Sequence, residues 1–92
     1  MKGIFVTLDT IQSVHFDSPN ELFNEDSFTI VGACIEEGLV FMGRANASHL
    51  PMNTNIPLEW FTISCFDEHP RGNVLIVKTN EEGEIIDHDL KL

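Results

Sequence analysis

Basic residues are scarce in this chain of 92 residues, which has five Lys and Arg against 15 Asp and Glu. The formal net charge at pH 7 is therefore −10. Proteins that bind nucleic acid directly neutralise its phosphates with clustered Lys and Arg, so this composition argues against that class. The same shortage of positive charge argues against binding to an anionic membrane surface.

Long apolar runs are also missing. The first apolar segment ends at Asp9, which is too early for a signal peptide or a membrane span, so we expect a cytoplasmic protein. Hydrophobic residues still make up 42% of the chain, which is too much for intrinsic disorder, and the length predicts a single domain over residues 1–92. In a reducing compartment, Cys34 and Cys65 are expected to be buried free thiols.

Motifs for catalysis and for metal binding are the third absence. The sequence has no Cys-x-x-Cys, no Gly-x-Ser-x-Gly and no Gly-rich phosphate loop. We therefore expect a protein that is not an enzyme, with no catalytic residues, no metal ligands and no cofactor. One alternative stays open, a small metal-binding module or enzyme that uses Cys34 or Cys65 together with His15, His49, His69 or His88.

The pattern of apolar residues predicts mainly β-structure. Residues 3–8 alternate as a strand does, and residues 11–16 are expected to extend that strand after a bend. The consecutive apolar residues Val74 to Val77 indicate a strand that is central or buried on both faces. Gly-containing acidic turns at 36–38 and 80–83 favour antiparallel connections. After residues 3–16, the predicted strands are 28–35, 39–44, 58–66, 73–79 (which contains Val74 to Val77) and 84–90.

One short helix is predicted over residues 19–25. Ser18 can cap it, Pro19 suits the first helical position, and Glu21 stands three residues after the cap. Residues 45–57 contain two prolines and three asparagines and are expected to form a long loop. The predicted fold class is α+β, an antiparallel sheet of about five strands with this helix packed on it, and a small β-barrel is the alternative.

Acidic residues gather at a few places along the chain. One group surrounds the predicted helix, and others lie on the two acidic turns and along the last hairpin. Like charges held this close destabilise a folded domain through self-repulsion, which favours a function for them over solubility alone. The predicted partner-binding residues are Glu36, Glu37, Asp67, Glu68, Glu81, Glu82, Glu84, Asp87 and Asp89.

A negative surface of this kind attracts positive surfaces, and those that hold DNA or RNA are the most common in a cell. Arg side chains bind carboxylates and phosphates with the same fork of donors, so an acidic protein can occupy a nucleic-acid groove. Affinity also needs an apolar anchor, for which Trp60, Phe41 and Met52 are candidates.

In size, charge and composition over its whole length, the chain resembles small acidic phage-encoded inhibitors of bacterial defence, of the anti-CRISPR and DNA-mimic type. The resemblance implies a non-enzymatic inhibitor that binds a basic nucleic-acid-binding surface of a type I surveillance complex in the host cytoplasm. The profile also resembles the immunity proteins and antitoxins that neutralise basic nucleases, and this second reading stays open.

Overall fold

Seven strands form most of the regular structure of the described residues, and all of them belong to one antiparallel sheet. The computed structural model describes residues 1–23, 27–34, 36, 38–56, 65–66 and 69–87. The strands are β1 (Lys2–Val6), β2 (Ile11–His15), β3 (Phe28–Cys34), β4 (Leu39–Arg44), β5 (Cys65–Phe66), β6 (Val74–Thr79) and β7 (Ile85–Ile86).

The strand order is β2-β1-β6-β4-β3-β5, with β7 paired to β6 outside this path. Strand β6 is central, because Ile76 pairs with Ile4 of β1 on one side and with Phe41 of β4 on the other. Strand β7 pairs with Lys78 and Thr79, beyond the stretch of β6 that β1 covers. The prediction of a central apolar strand is confirmed.

Apolar clusters cover both faces of the sheet. Side chains alternate between the faces of a strand, so β6 sends Val74 and Ile76 to one cluster and Leu75 and Val77 to the other. Phe41, which is fully buried, packs at 5.0 Å between ring centroids against Phe66 in the first cluster. Burial on both faces explains why the sequence of β6 is apolar without alternation.

The predicted helix is wrong in its type. Residues Pro19–Phe23 form a 3₁₀ helix, and this is the only helical element in the described part of the chain. The Glu21 amide donates to the Ser18 carbonyl at 3.1 Å, a three-residue spacing, because so short a segment cannot repay the cost of nucleating an α-helix. Phe23 is nevertheless buried, edge-on to Phe5 and stacked against Phe28.

The sheet is open across the described strands, which does not match the barrel alternative. Strands β2 and β5 stand at the two ends of the strand order, and no pairing within the described ranges joins them. Residues 11–16 do not extend β1. They turn back and pair with it, because the Thr7 hydroxyl accepts the amides of Asp9 and Thr10 at 3.2 and 2.8 Å and closes a hairpin.

Predicted strands 28–35, 39–44 and 73–79 correspond to β3, β4 and β6. Of predicted strands 58–66 and 84–90, the structure describes only β5, and β7 with its flanking residues. Their other positions, like residues 24 and 25 of the predicted helix, lie outside the described residues.

The loop after β4 is held to the sheet by a buried asparagine. The Asn53 side-chain amide donates to the carbonyls of Val6 at 3.0 Å and Gly72 at 2.8 Å, and its Oδ1 accepts the Asn55 amide at 2.9 Å. Asn53 is fully buried, so these bonds replace its lost hydration. The asparagines that predicted irregular structure therefore also fix its position.

Candidate partner-binding surface

Two of the acidic turns meet at one end of the sheet. Leu39 at the start of β4 pairs with Lys78 near the end of β6, so the turn before β4 and the turn after β6 become neighbours. A direct contact joins them, since the Thr79 amide donates to the Gly38 carbonyl at 2.7 Å and its hydroxyl donates to the same oxygen at 3.3 Å. We call this place the acidic end and define it by Glu36, Glu81, Glu82 and Glu84.

Glycine at position 38 is required for this contact. Gly38 has a φ of 68°, in the left-handed region that side-chain-bearing residues rarely adopt. A Cβ at this position would stand only 2.8 Å from the Thr79 carbonyl oxygen. The close approach of the two turns therefore depends on the absence of a side chain.

The second turn is built around Asn80. The Asn80 side-chain Oδ1 accepts the amides of Glu82 and Glu84, each at 3.0 Å, and its backbone amide donates to the Glu84 carbonyl at 3.0 Å. Gly83 completes the turn with a φ of 82° and an amide that donates to the Asn80 carbonyl. This asparagine turn gives the acidic residues a defined backbone position.

The carboxylate-bearing residues of the acidic end face solvent. Glu36, Glu81, Glu82 and Glu84 are all exposed. Glu36 and Glu81 line a shared surface groove of about 700 Å³, whose other lining includes Leu39 and Val40. Lys78 lies near the same end of β6. The described lining of the groove therefore combines two acidic residues with apolar ones.

Of the other predicted partner-binding residues, the structure describes only Asp87. Asp87 follows β7 and is exposed. Glu37, Asp67, Glu68 and Asp89 lie outside the described residues.

The apolar anchors proposed from the sequence are not at the acidic end. Phe41 is fully buried in the core, and Trp60 lies outside the described residues. Met52 is 51% exposed but pairs with Arg71 at the opposite end of the sheet. Sequence reasoning missed Ile86, which is 37% exposed and pairs with Lys78 beside the acidic turns. Its only sequence signal is its place next to the acidic turn.

The residues considered for catalysis or metal binding are dispersed. His15 and His49 are exposed on β2 and on the loop, whereas His69 is half-buried and its Nε2 donates to the Asn53 carbonyl at 2.9 Å. Cys34 is a free thiol within the core, and His88 and the side chain of Cys65 are outside the described part. Among the described residues, no three His, Cys, Asp or Glu side chains form a group that could hold a metal ion.

The chain matches no protein-family model, no curated protein and no solved structure. Within the described ranges, no helix has the length and apolar character needed to cross a bilayer. What the fold and the surface define is an open antiparallel sheet that presents exposed acidic turns at one end.

Proposed function

We propose that the protein is a non-enzymatic inhibitor that binds a basic nucleic-acid-binding surface of a defence complex and blocks nucleic-acid binding there. The type I surveillance complex is the target that we propose to test first. The observation that carries this proposal is the hydrogen-bonded pair of turns, which sets exposed Glu36 and Glu81 on one groove.

Charge accounts for the kind of partner. A domain with a net charge of −10 is attracted to a Lys- and Arg-rich channel and repelled by nucleic acid itself. Guanidinium groups that bind phosphates donate hydrogen bonds to carboxylates in the same geometry. Glu36 and Glu81 can therefore occupy the positions that phosphates would take. Turns fixed by Gly38 and Asn80 lose little conformational freedom on binding, which favours affinity.

An apolar contact is needed beside these charges, because exposed ion pairs mainly raise the rate and the specificity of association. Ile86 supplies such a contact, since it is exposed and pairs with Lys78 in the same part of the sheet. We expect Ile86→Ala to raise the dissociation rate and to leave the association rate nearly unchanged. Charge changes at Glu36 or Glu81 are expected to lower the association rate instead.

The test measures binding of target DNA to a purified type I surveillance complex with and without the protein. Glu36→Lys and Glu81→Lys should each weaken inhibition by about tenfold, the effect of losing about 1.5 kcal/mol of charge coupling. Reversal of Glu81, Glu82, Asp87 and Asp89 together should abolish inhibition.

Asp9→Lys is the matched control. Asp9 is exposed, and its replacement by Lys changes the net charge by the same amount. Its turn follows Val6, which pairs with Val74 at the end of β6 opposite the acidic end. The control should inhibit as the unaltered protein does. Equal loss in Asp9→Lys and Glu36→Lys would mean that net charge acts without a defined surface. Inhibition unchanged by the fourfold reversal would contradict the assignment to this end.

A further inference from the structure

A cavity of about 310 Å³ lies at the end of the sheet opposite the acidic end. Its lining includes Arg44, the last residue of β4, and His69 and Arg71 from the segment that precedes β6. Gly43, which also lines it, pairs with Val74 at the start of β6. The cavity volume falls at the lower end of the range of small-molecule sites.

An irregularity of the sheet lies beside this cavity, since Ile30 and Val31 line it. The register of β3 against β4 shifts between Ile30 and Gly32, so Val31 is an extra residue in the manner of a β-bulge. Gly43, which pairs with Thr29, has no side chain, and a Cβ there would come within 3.3 Å of the Val31 side chain. Bulges of this kind are frequent next to binding sites, where they redirect side chains.

The charge of the lining is unusual for this chain. The whole sequence has five Lys and Arg, and two of them, Arg44 and Arg71, line this single cavity. The Arg71 Nη1 donates to the Leu50 carbonyl at 2.9 Å, which holds the side chain in place. A guanidinium has five N–H donors, so this bond leaves further donors of Arg71 for another acceptor. Asn46 and Ser48 add polar side chains to the same lining.

We propose that this cavity binds a small molecule through an oxyanion group, a carboxylate or a phosphate. Planar guanidinium groups match the two-oxygen edge of both anions, and two arginines line one space here. Ile30, which is 60% exposed and lines the same cavity, offers an apolar contact for the rest of the ligand. This site is separate from the acidic end and does not depend on the function proposed for it.

Amide chemical shifts measured during titration test the proposal with three probes: inorganic phosphate, acetate, and neutral acetamide as the isostere of acetate. Ionic strength is held at about 0.1 M so that screening is constant. We expect saturable shifts at the amides of Gly43, Ala45 and Gly72, caused by at least one of the two anions and not by acetamide. Phosphate alone would assign a phosphate group, and acetate alone a carboxylate.

Two variants and a control locate the binding. Arg44→Gln and Arg71→Gln should each weaken the binding of the anion by about tenfold or more, because each removes a charge-assisted hydrogen bond. Arg71→Lys keeps the charge without the planar fork and should fall between Arg71→Gln and the unaltered protein. Lys2→Gln removes the same charge from the other end of β1 and should change the affinity less than twofold.

Three results would overturn the proposal. They are the absence of saturable shifts with both anions, equal shifts with acetamide, and an equal loss of affinity in Lys2→Gln and Arg71→Gln. Each variant is first compared with the unaltered protein in its amide spectrum outside the cavity. If Arg71→Gln fails to fold, Arg71→Lys and Arg44→Gln decide the outcome.

Discussion

Gly38→Ala should disrupt the contact that joins the two acidic turns. Two costs add at this position. A non-glycine residue at a φ of 68° costs about 1–2 kcal/mol, and a Cβ placed 2.8 Å from the Thr79 carbonyl oxygen requires the backbone to move. Moving it weakens the 2.7 Å bond from the Thr79 amide to the Gly38 carbonyl, which is worth about 1 kcal/mol. Alanine also restricts the unfolded chain and returns about 0.4–1 kcal/mol. The expected loss is about 1–2.6 kcal/mol.

Gly83→Ala provides the matched comparison. Gly83 has a φ of 82°, yet a Cβ there would meet no atom within 4 Å. Only the conformational cost and the unfolded-state return remain, so the expected loss is about 0–1.6 kcal/mol, about 1 kcal/mol less than for Gly38→Ala. Urea unfolding followed by circular dichroism measures both free energies of unfolding, and for a domain of this size each kcal/mol corresponds to about 4–8 °C in Tm. If the two variants agree within about 0.5 kcal/mol, the close approach at Gly38 is refuted.

Three further predictions concern the core and the turns. Asn53→Leu should lower the free energy of unfolding by about 2–4 kcal/mol, because two buried carbonyls lose their donor, and urea unfolding measures it against a smaller loss in Asn55→Ala. Asn80→Ala should speed hydrogen exchange at the amides of the second acidic turn, and unchanged exchange would contradict the turn described. Phe41→Ala should cost about 3–5 kcal/mol, whereas Met52→Ala, at a half-exposed residue, should stay within about 0.5 kcal/mol in the same measurement.

The sheet could be predicted from the sequence where apolar residues and turn glycines agree. The apolar run Val74–Val77 identified the central strand, and the Gly38 turn joined strands whose observed bounds differ from the predicted ones by no more than one residue. The helix could not be typed in the same way. Its cap and proline are common to α- and 3₁₀-helices, so they do not distinguish the two types.

The site was predictable in composition and not in arrangement. Sequence alone identified Glu36 and Glu81 as exposed turn residues, but their neighbourhood depends on the Leu39–Lys78 register between strands that are distant in the chain. A second pairing, with Lys78 across the β6–β7 hairpin, brings Ile86 to this place, and its position just after the acidic turn is its only sequence signal. Met52, one of the candidate anchors, is exposed but lies at the end of the sheet opposite the acidic end.

The central claim, that the acidic end binds a basic partner, is tested most directly by an affinity pull-down at low and moderate salt. The unaltered protein and Asp9→Lys should retain a basic nucleic-acid-handling partner at low salt and lose it as salt rises, because exposed charges are screened. The Glu36→Lys, Glu81→Lys double variant should fail to retain it at low salt. A partner that is held equally by the double variant, or one whose retention does not depend on salt, would contradict the account.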